Sequence, residues 1–229
     1  MKIFTNEKII DRNSKIGFWS TLISPAIIAL SMWIFFTQLH KFGLSLIIFF
    51  IGLILYQIGK FFRKWGRGSD LVFNKALEKL GKDYTLYHFS SPVSHLLVGP
   101  AGIWILVPRH TRGSITYNEK RNRLKLKRPT FTEKVFSPFK EGLERPPIEI
   151  LAEADALDRF LQKHWKNRAS PAIHAAIVFL EEEAEVNAEN SPIPTLHIRG
   201  LREFIRKREK EERAPYSLIK EFNTLLIQD

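Results

Sequence analysis

An α/β domain behind two N-terminal transmembrane helices is the class this sequence predicts, and three observations predict it. Two long apolar runs without a formal charge fall inside the first 60 residues. After residue 68, short strand-like runs alternate with amphipathic helical stretches. The basic residues crowd the flanks of the apolar runs and one later hairpin instead of spreading evenly. Residues 1–67 therefore read as a membrane anchor and 68–229 as one soluble domain, long enough to bury a core of its own.

The formal charge of +11 divides unequally. Residues 1–67 hold nine Lys/Arg against two Asp/Glu, while the remaining 26 basic and 22 acidic residues leave the domain only weakly basic. The overall basicity is thus no argument for nucleic acid by itself. The absence of cysteine excludes disulfides, thiolate catalysis and cysteine-ligated zinc or iron–sulfur centres.

The first apolar run covers residues 16–39 and the second 42–59, with His40 and Lys41 between them. About 20 apolar residues carry a helix across the hydrocarbon core. The first run spans with some tilt, and the second spans when Lys41 and Lys60 reach the interfaces. Pro25 lies well inside the first helix, where a neighbouring group must satisfy the carbonyl its missing N–H leaves over. Neither run has a signal-peptide cleavage site or the polar face of a surface-lying helix. Lys2, Lys8, Arg12 and Lys15 precede the pair, and Lys60, Arg63, Lys64 and Arg67 follow it. The positive-inside bias predicts a multi-pass cell-membrane protein with both termini cytoplasmic and the short turn outside. Trp19 and Trp33 are candidate interface anchors.

In the domain, residues 66–69 are a hinge. Residues 70–80 place Leu71, Val72, Ala76, Leu77 and Leu80 at helical spacing, with Gly81 closing the helix. Strands follow at 84–89 and 93–98, and the turn Gly99-Pro100-Ala101-Gly102 leads into 103–107, a continuous apolar run of a strand covered on both faces. Residues 114–117 and 121–128 form a hairpin. Beyond an irregular connection at 130–147, residues 148–165 are an amphipathic helix with Ile150, Leu151, Ala154, Leu157, Phe160 and Leu161 inward. Residues 173–180 are a buried strand, 195–198 a short edge strand, and 201–210 and 217–227 helices. This order implies a central mixed sheet with helices on both sides.

The opening helix, the stretch HLLVGPAGIWILVPRHTRG over 95–113, and the long helix followed by IHAAIVFL together resemble the NERD (nuclease-related) domain. That family is a branch of the restriction-endonuclease-like, PD-(D/E)xK superfamily, and the similarity spans about residues 66–200. In the family the middle stretch reads approximately Asp-His, apolar residues, Gly-Pro-x-Gly, an apolar strand, Glu-x-Lys, then Gly. The resemblance implies a restriction-endonuclease-like domain and, in active members, a metal site built from the Asp, the Glu and the Lys.

Laid on that pattern, Ser94 stands at the Asp, Val107 at the Glu and Arg109 at the Lys. Two carboxylates hold a divalent cation that polarises the scissile phosphate, and the Lys orients the attacking water. Ser94 is a poor ligand for a hard cation, Val107 cannot ligate, and Arg109 keeps its proton at all working pH. The expectation is a nuclease fold without nuclease chemistry, with no catalytic residue, metal or cofactor. Relocated carboxylates are the alternative, from Asp70, Glu181, Glu182 and Glu183, or Asp155 and Asp158. The histidines form no metal-ligand motif, and Ser94 and His95 are strand neighbours that point to opposite faces.

One constellation is basic. Arg109, Arg112, Lys120, Arg121, Arg123, Lys125, Lys127 and Arg128 face Glu119 alone. Arg121, Arg123, Lys125 and Lys127 alternate with Leu124 and Leu126, which on a strand makes one basic face. With Arg109 and Arg128 they are the candidate polyanion-binding residues. Such a face suits a phosphate backbone or anionic headgroups, although Lys and Arg on an exposed strand also deter edge-to-edge pairing. The functional expectation is a membrane-anchored protein that binds nucleic acid, anionic lipid or a protein partner. An active nuclease and a structural membrane scaffold are the alternatives.

Overall fold

The computed structural model describes residues 1–64, 68–127, 146–165 and 171–228. The protein is mixed α/β, with two long apolar helices near the N-terminus and a mixed central sheet. It divides into two compact units, Asn6–Gly68 on one hand and Met1–Thr5 with Ser69–Asp229 on the other.

The first unit is a helical hairpin of α1 (Glu7–Thr37) and α2 (Phe42–Lys64) around a single 3₁₀ turn, Leu39–Lys41. Asn6 caps α1, its side chain accepting from the Ile9 N–H at 3.2 Å. Both helices are long and apolar enough to cross a membrane. The carbonyl freed by Pro25 is that of Thr21, and the Ser24 hydroxyl donates to it at 3.4 Å.

Ile10 and Asn13 are buried in the first turns of α1. Within the apolar runs the buried positions among the described residues are small and recur every seven residues: Gly17, Ser24 and Ser31 on α1, Ser45, Gly52 and Gly59 on α2. The helices meet along these rows. Ser45 Oγ donates to the Ser31 carbonyl at 2.9 Å. A Cβ on Gly52 would lie 2.6 Å from Ile28 Cγ1, and one on Gly59 2.8 Å from the Thr21 backbone nitrogen. Only small residues allow that approach, the usual solution where packing rather than water exclusion joins helices. The large side chains turn outward, Trp19 and Trp33 among them.

In the second unit, six strands run in the order β1-β2-β3-β4-β7-β9. These are β1 (Lys2–Thr5), β2 (Thr85–His88), β3 (His95–Gly99), β4 (Gly102–Arg109), β7 (Ile173–Phe179) and β9 (Thr195–His197). β2, β3 and β4 form an antiparallel meander, whereas β1–β2, β4–β7 and β7–β9 are parallel. Gly99 pairs with Gly102 across the two-residue β3–β4 turn, and Gly102 takes a φ of +97° that favours glycine. A smaller sheet in the order β6-β5-β8 joins β5 (Gly113–Asn118), β6 (Arg123–Lys127) and β8 (Ala184–Asn187). The helices are α3 (Ser69–Leu77), α4 (Pro146–His164), α5 (Ile198–Glu211) and α6 (Tyr216–Gln228).

Strand alternation gives the large sheet two cores. Leu96, Ile105, Val107, Ile177 and Phe179 pack with Leu157 of α4 and Phe222 of α6. Leu97, Trp104, Leu106 and Val178 pack on the other face with Phe73 and Leu77 of α3 and Leu201 and Ile205 of α5. β4 is buried along nearly its whole length, as its unbroken apolar run implied.

Four expectations need correction. Residues 1–5 leave the expected anchor and add β1 to the sheet. β8 was not foreseen. α3 stops at Leu77, before Gly81, and its inward residue is Phe73 while Leu71 is 59% exposed. Two residues apart on a helix means about 200°, so Phe73 and Leu71 cannot share a face. On α4 the inward stripe runs through Ile150, Leu157 and Leu161 and leaves Leu151 outside.

Candidate functional site

The three positions singled out by the resemblance lie on one face of the sheet. Leu96 pairs with Ile105, so continuing that register brings Ser94 opposite Val107, with Arg109 two residues further along β4. All three are buried. α4 lies over this face and supplies a carboxylate the sequence reading did not single out: Ser94 Oγ donates to Glu153 Oε1 at 2.7 Å. Among the described residues the site thus brings together the Glu153 carboxylate, the Arg109 guanidinium and the apolar Val107.

The opposite face carries a buried polar chain. His88 ends β2 and His95 begins β3, and their register makes them direct cross-strand neighbours. Their Nδ1 atoms are 2.7 Å apart, and His88 Nε2 lies 2.9 Å from Asn74 Oδ1 on α3. With the Asn74 oxygen accepting, His88 Nε2 carries the proton and its Nδ1 accepts from His95 Nδ1–H. Burial pushes the His88 imidazole down to about 4, against a smaller upward pull from the buried Asp70 carboxylate. Burial, then the proximity of His88 and of His110, holds His95 well below the ordinary histidine range. Both rings are therefore neutral at pH 7, and Phe73 and Phe89 enclose His95 at 4.9 and 5.2 Å.

The carboxylates considered as relocated ligands have other company. Glu181 faces His110 Nδ1 at 3.3 Å and Arg112 Nε at 3.2 Å. Glu183 also meets Arg112, and Glu182 meets Arg199. Asp155 and Asp158 are exposed on α4. His197 donates from Nε2 to the Glu181 carbonyl and accepts the Arg199 N–H at Nδ1, a helix-capping role for α5.

The hairpin of β5 and β6 carries the basic face. Arg121, Arg123 and Lys125 are exposed, while Leu124 is buried and Leu126 packs against the core. Arg121 is not on the strand as expected: it ends a 3₁₀ turn over Glu119–Arg121, and left-handed Asn122 separates it from β6. Across from them, Asn118 pairs with Arg123 and Thr116 with Lys125, so the outward side of this hairpin is polar throughout. β6 is an edge strand of the small sheet. Lys127 ends the strand, and Arg128 lies outside the described residues. Arg109 does not join this set. It ends β4 on the side of Ile105 and Val107, which turns it inward, and it is 5% exposed.

A cavity of roughly 600 Å³ opens at the far, N-terminal ends of β4 and β7, lined by Trp104, His174, Ile173, Pro194, Arg208 and Leu218 among others. None of the residues expected from the sequence lines it. Trp104 and His174 stack there with ring centroids 4.8 Å apart. No family model, curated protein or solved structure matches this chain.

Proposed function

We propose that this chain is a membrane-anchored protein whose α/β domain is a degenerate NERD-like, restriction-endonuclease-like fold that works by binding a polyanion. The observation that carries the binding reading is the exposed row Arg121, Arg123 and Lys125 above the inward Leu124 and Leu126. Arg123 and Lys125 share one solvated strand face and Arg121 lies in the 3₁₀ turn just before it; together they attract a phosphodiester chain or a plane of anionic headgroups in a salt-dependent way. The order helix, antiparallel meander, long helix, and strand parallel to the last of the meander supports the fold assignment. Ser94, Val107 and Arg109 at the expected metal-site positions support a loss of nuclease chemistry.

The route of the chain supports the membrane topology. β1 precedes α1 and β2 follows α2, yet the two strands pair directly, Lys2 with Thr85 through Thr5 with His88. Both ends of the hairpin therefore feed one sheet, as an even number of crossings requires. Together with the flanking Lys and Arg residues this favours a cytoplasmic location for both termini and for the domain.

The test uses the full chain in detergent and in nanodiscs, with single-stranded and duplex DNA, RNA, and vesicles containing or lacking phosphatidylserine. The triple variant Arg121→Ala, Arg123→Ala, Lys125→Ala should weaken binding and reduce the slope of log affinity against log salt by about 2 to 3. Unchanged affinity and slope in the triple variant would remove the basic strand from function and leave the scaffold reading. Magnesium- or manganese-dependent cleavage by the parent chain would instead overturn the loss of nuclease chemistry.

A further inference from the structure

We infer that Ser69, His110 and Glu181 form a serine-nucleophile site for acyl transfer, acting on a carboxylic ester or thioester. The three residues are far apart in sequence and meet at one end of the sheet. β4 and β7 are parallel neighbours, and the Leu180 N–H donates to the Arg109 carbonyl at 2.9 Å just beyond their last pair. His110 and Glu181 consequently leave the sheet side by side at its carboxyl-terminal edge, where open α/β sheets gather reactive groups. Ser69 opens α3 beside them.

The geometry assigns each nitrogen. Ser69 Oγ lies 3.1 Å from His110 Nε2, and His110 Nδ1 lies 3.3 Å from Glu181 Oε1. The tautomer whose Nδ1–H donates to Glu181 leaves the Nε2 lone pair on the serine hydroxyl, the arrangement by which an imidazole draws a proton from an oxygen nucleophile. Glu181 is itself held: Arg112 Nε donates to its second oxygen at 3.2 Å, and His197 Nε2 donates to its backbone carbonyl at 2.9 Å.

Atoms and electrons balance without a co-reactant. Ser69 Oγ adds to the acyl carbonyl as its proton passes to His110 Nε2. The bond from carbonyl carbon to the leaving oxygen or sulfur then breaks, and that atom takes the proton. Water, deprotonated by His110, attacks the acyl-serine, releases the carboxylic acid and restores the hydroxyl. The His110 side chain is 37% exposed while Ser69 is 3% exposed. Reagents thus arrive over the histidine edge, and small ones suit the test.

The full chain in detergent is treated with diisopropyl fluorophosphate, and the adduct is located by peptide mass spectrometry. Hydrolysis of p-nitrophenyl acetate is followed in parallel. The expected result is an adduct on Ser69 and none on Ser94, with hydrolysis lost in Ser69→Ala. Labelling of Ser69 should slow at least tenfold in His110→Gln and several-fold in Glu181→Gln, each shown to melt as the parent does. If either variant fails that melting check, the pH profile of labelling in the parent decides: it must rise with a single histidine-like ionisation. Absence of a Ser69 adduct in the folded parent chain overturns the proposal. So does labelling that is equally fast in a folded His110→Gln, or a parent profile without that ionisation.

Discussion

Along the apolar runs of α1 and α2 the buried places among the described residues belong to Gly17, Ser24, Ser31, Ser45, Gly52 and Gly59, while Phe36 is 75% exposed. In the sheet unit the largest fully buried side chains are Tyr87, Phe73, Phe179 and Phe222 among many aliphatics, and most charges face out, Asp70 and Arg109 being buried. Residue types thus change places between two units of one chain. Water drives large apolar groups inward, as in the sheet unit. Hydrocarbon is indifferent to them, so a helix pair there is joined by whatever lets its backbones come closest. The hairpin's outward large side chains and close small-residue seam agree with two helices long and apolar enough to cross a membrane.

The largest test of that contrast compares two phenylalanines. Phe179→Ala should destabilise the sheet unit by about 3–5 kcal/mol, since a fully buried ring leaves a cavity. Phe36→Ala should change the stability of the hairpin by no more than about 0.5 kcal/mol. Denaturant titration of the full chain in detergent, following the two units by separate probes, measures both; equal losses would erase the distinction.

Acid should separate the units next. The His88 imidazole is depressed from 6.5 to about 4 in the folded protein. At and above pH 7 both folded and unfolded chains leave it neutral, and stability is complete. As pH falls below 6.5 the unfolded chain binds the proton first, so stability declines until about pH 4 and then levels. The loss amounts to about 3 kcal/mol, and His95 adds to it in the same direction. Melting curves of the sheet unit between pH 7 and 4 should show this decline, with a shallower slope in His88→Gln. Helix–helix proximity within the hairpin, read by a fluorophore pair, should stay constant over that range.

A pair of glycines gives the smallest contrast. Gly59→Leu would push a side chain into the Thr21 backbone, and overpacking of this kind costs about 1–3 kcal/mol. It should separate the helices in a steric-trapping or energy-transfer measurement. Gly200 has open space around its Cβ position in α5, so Gly200→Ala should raise the stability of the sheet unit by up to about 1 kcal/mol.

What the sequence revealed and what it hid follow from range. α1, α2, β4 and the β5–β6 hairpin announce themselves because each is written in consecutive residues: unbroken apolar runs, or Leu124 and Leu126 alternating with arginine and lysine. β1 has four residues, KIFT, and a partner beyond both long helices, so nothing local distinguishes it from the lead-in to α1. β8, AEVN, has one buried residue and a polar composition. Glu153 looked like any charged position on an amphipathic helix until the fold laid α4 over Ser94. Ser69, His110 and Glu181 each sit at the end of a different element, and only the parallel pairing of β4 with β7 makes them neighbours. Arg109 shows the converse: adjacent in sequence to the basic run, it was separated from that run by the direction its strand turns it.

The pairing of Thr5 with His88 also sets a timetable for synthesis. β1 is translated before both long apolar helices, and its partner β2 only after them. At roughly 5–20 residues per second that interval lasts on the order of seconds. During it β1 has not yet met β2, the strand it pairs with. Closure of that edge of the sheet therefore comes only after both long helices have been made, which makes it a late event in the folding of the sheet unit.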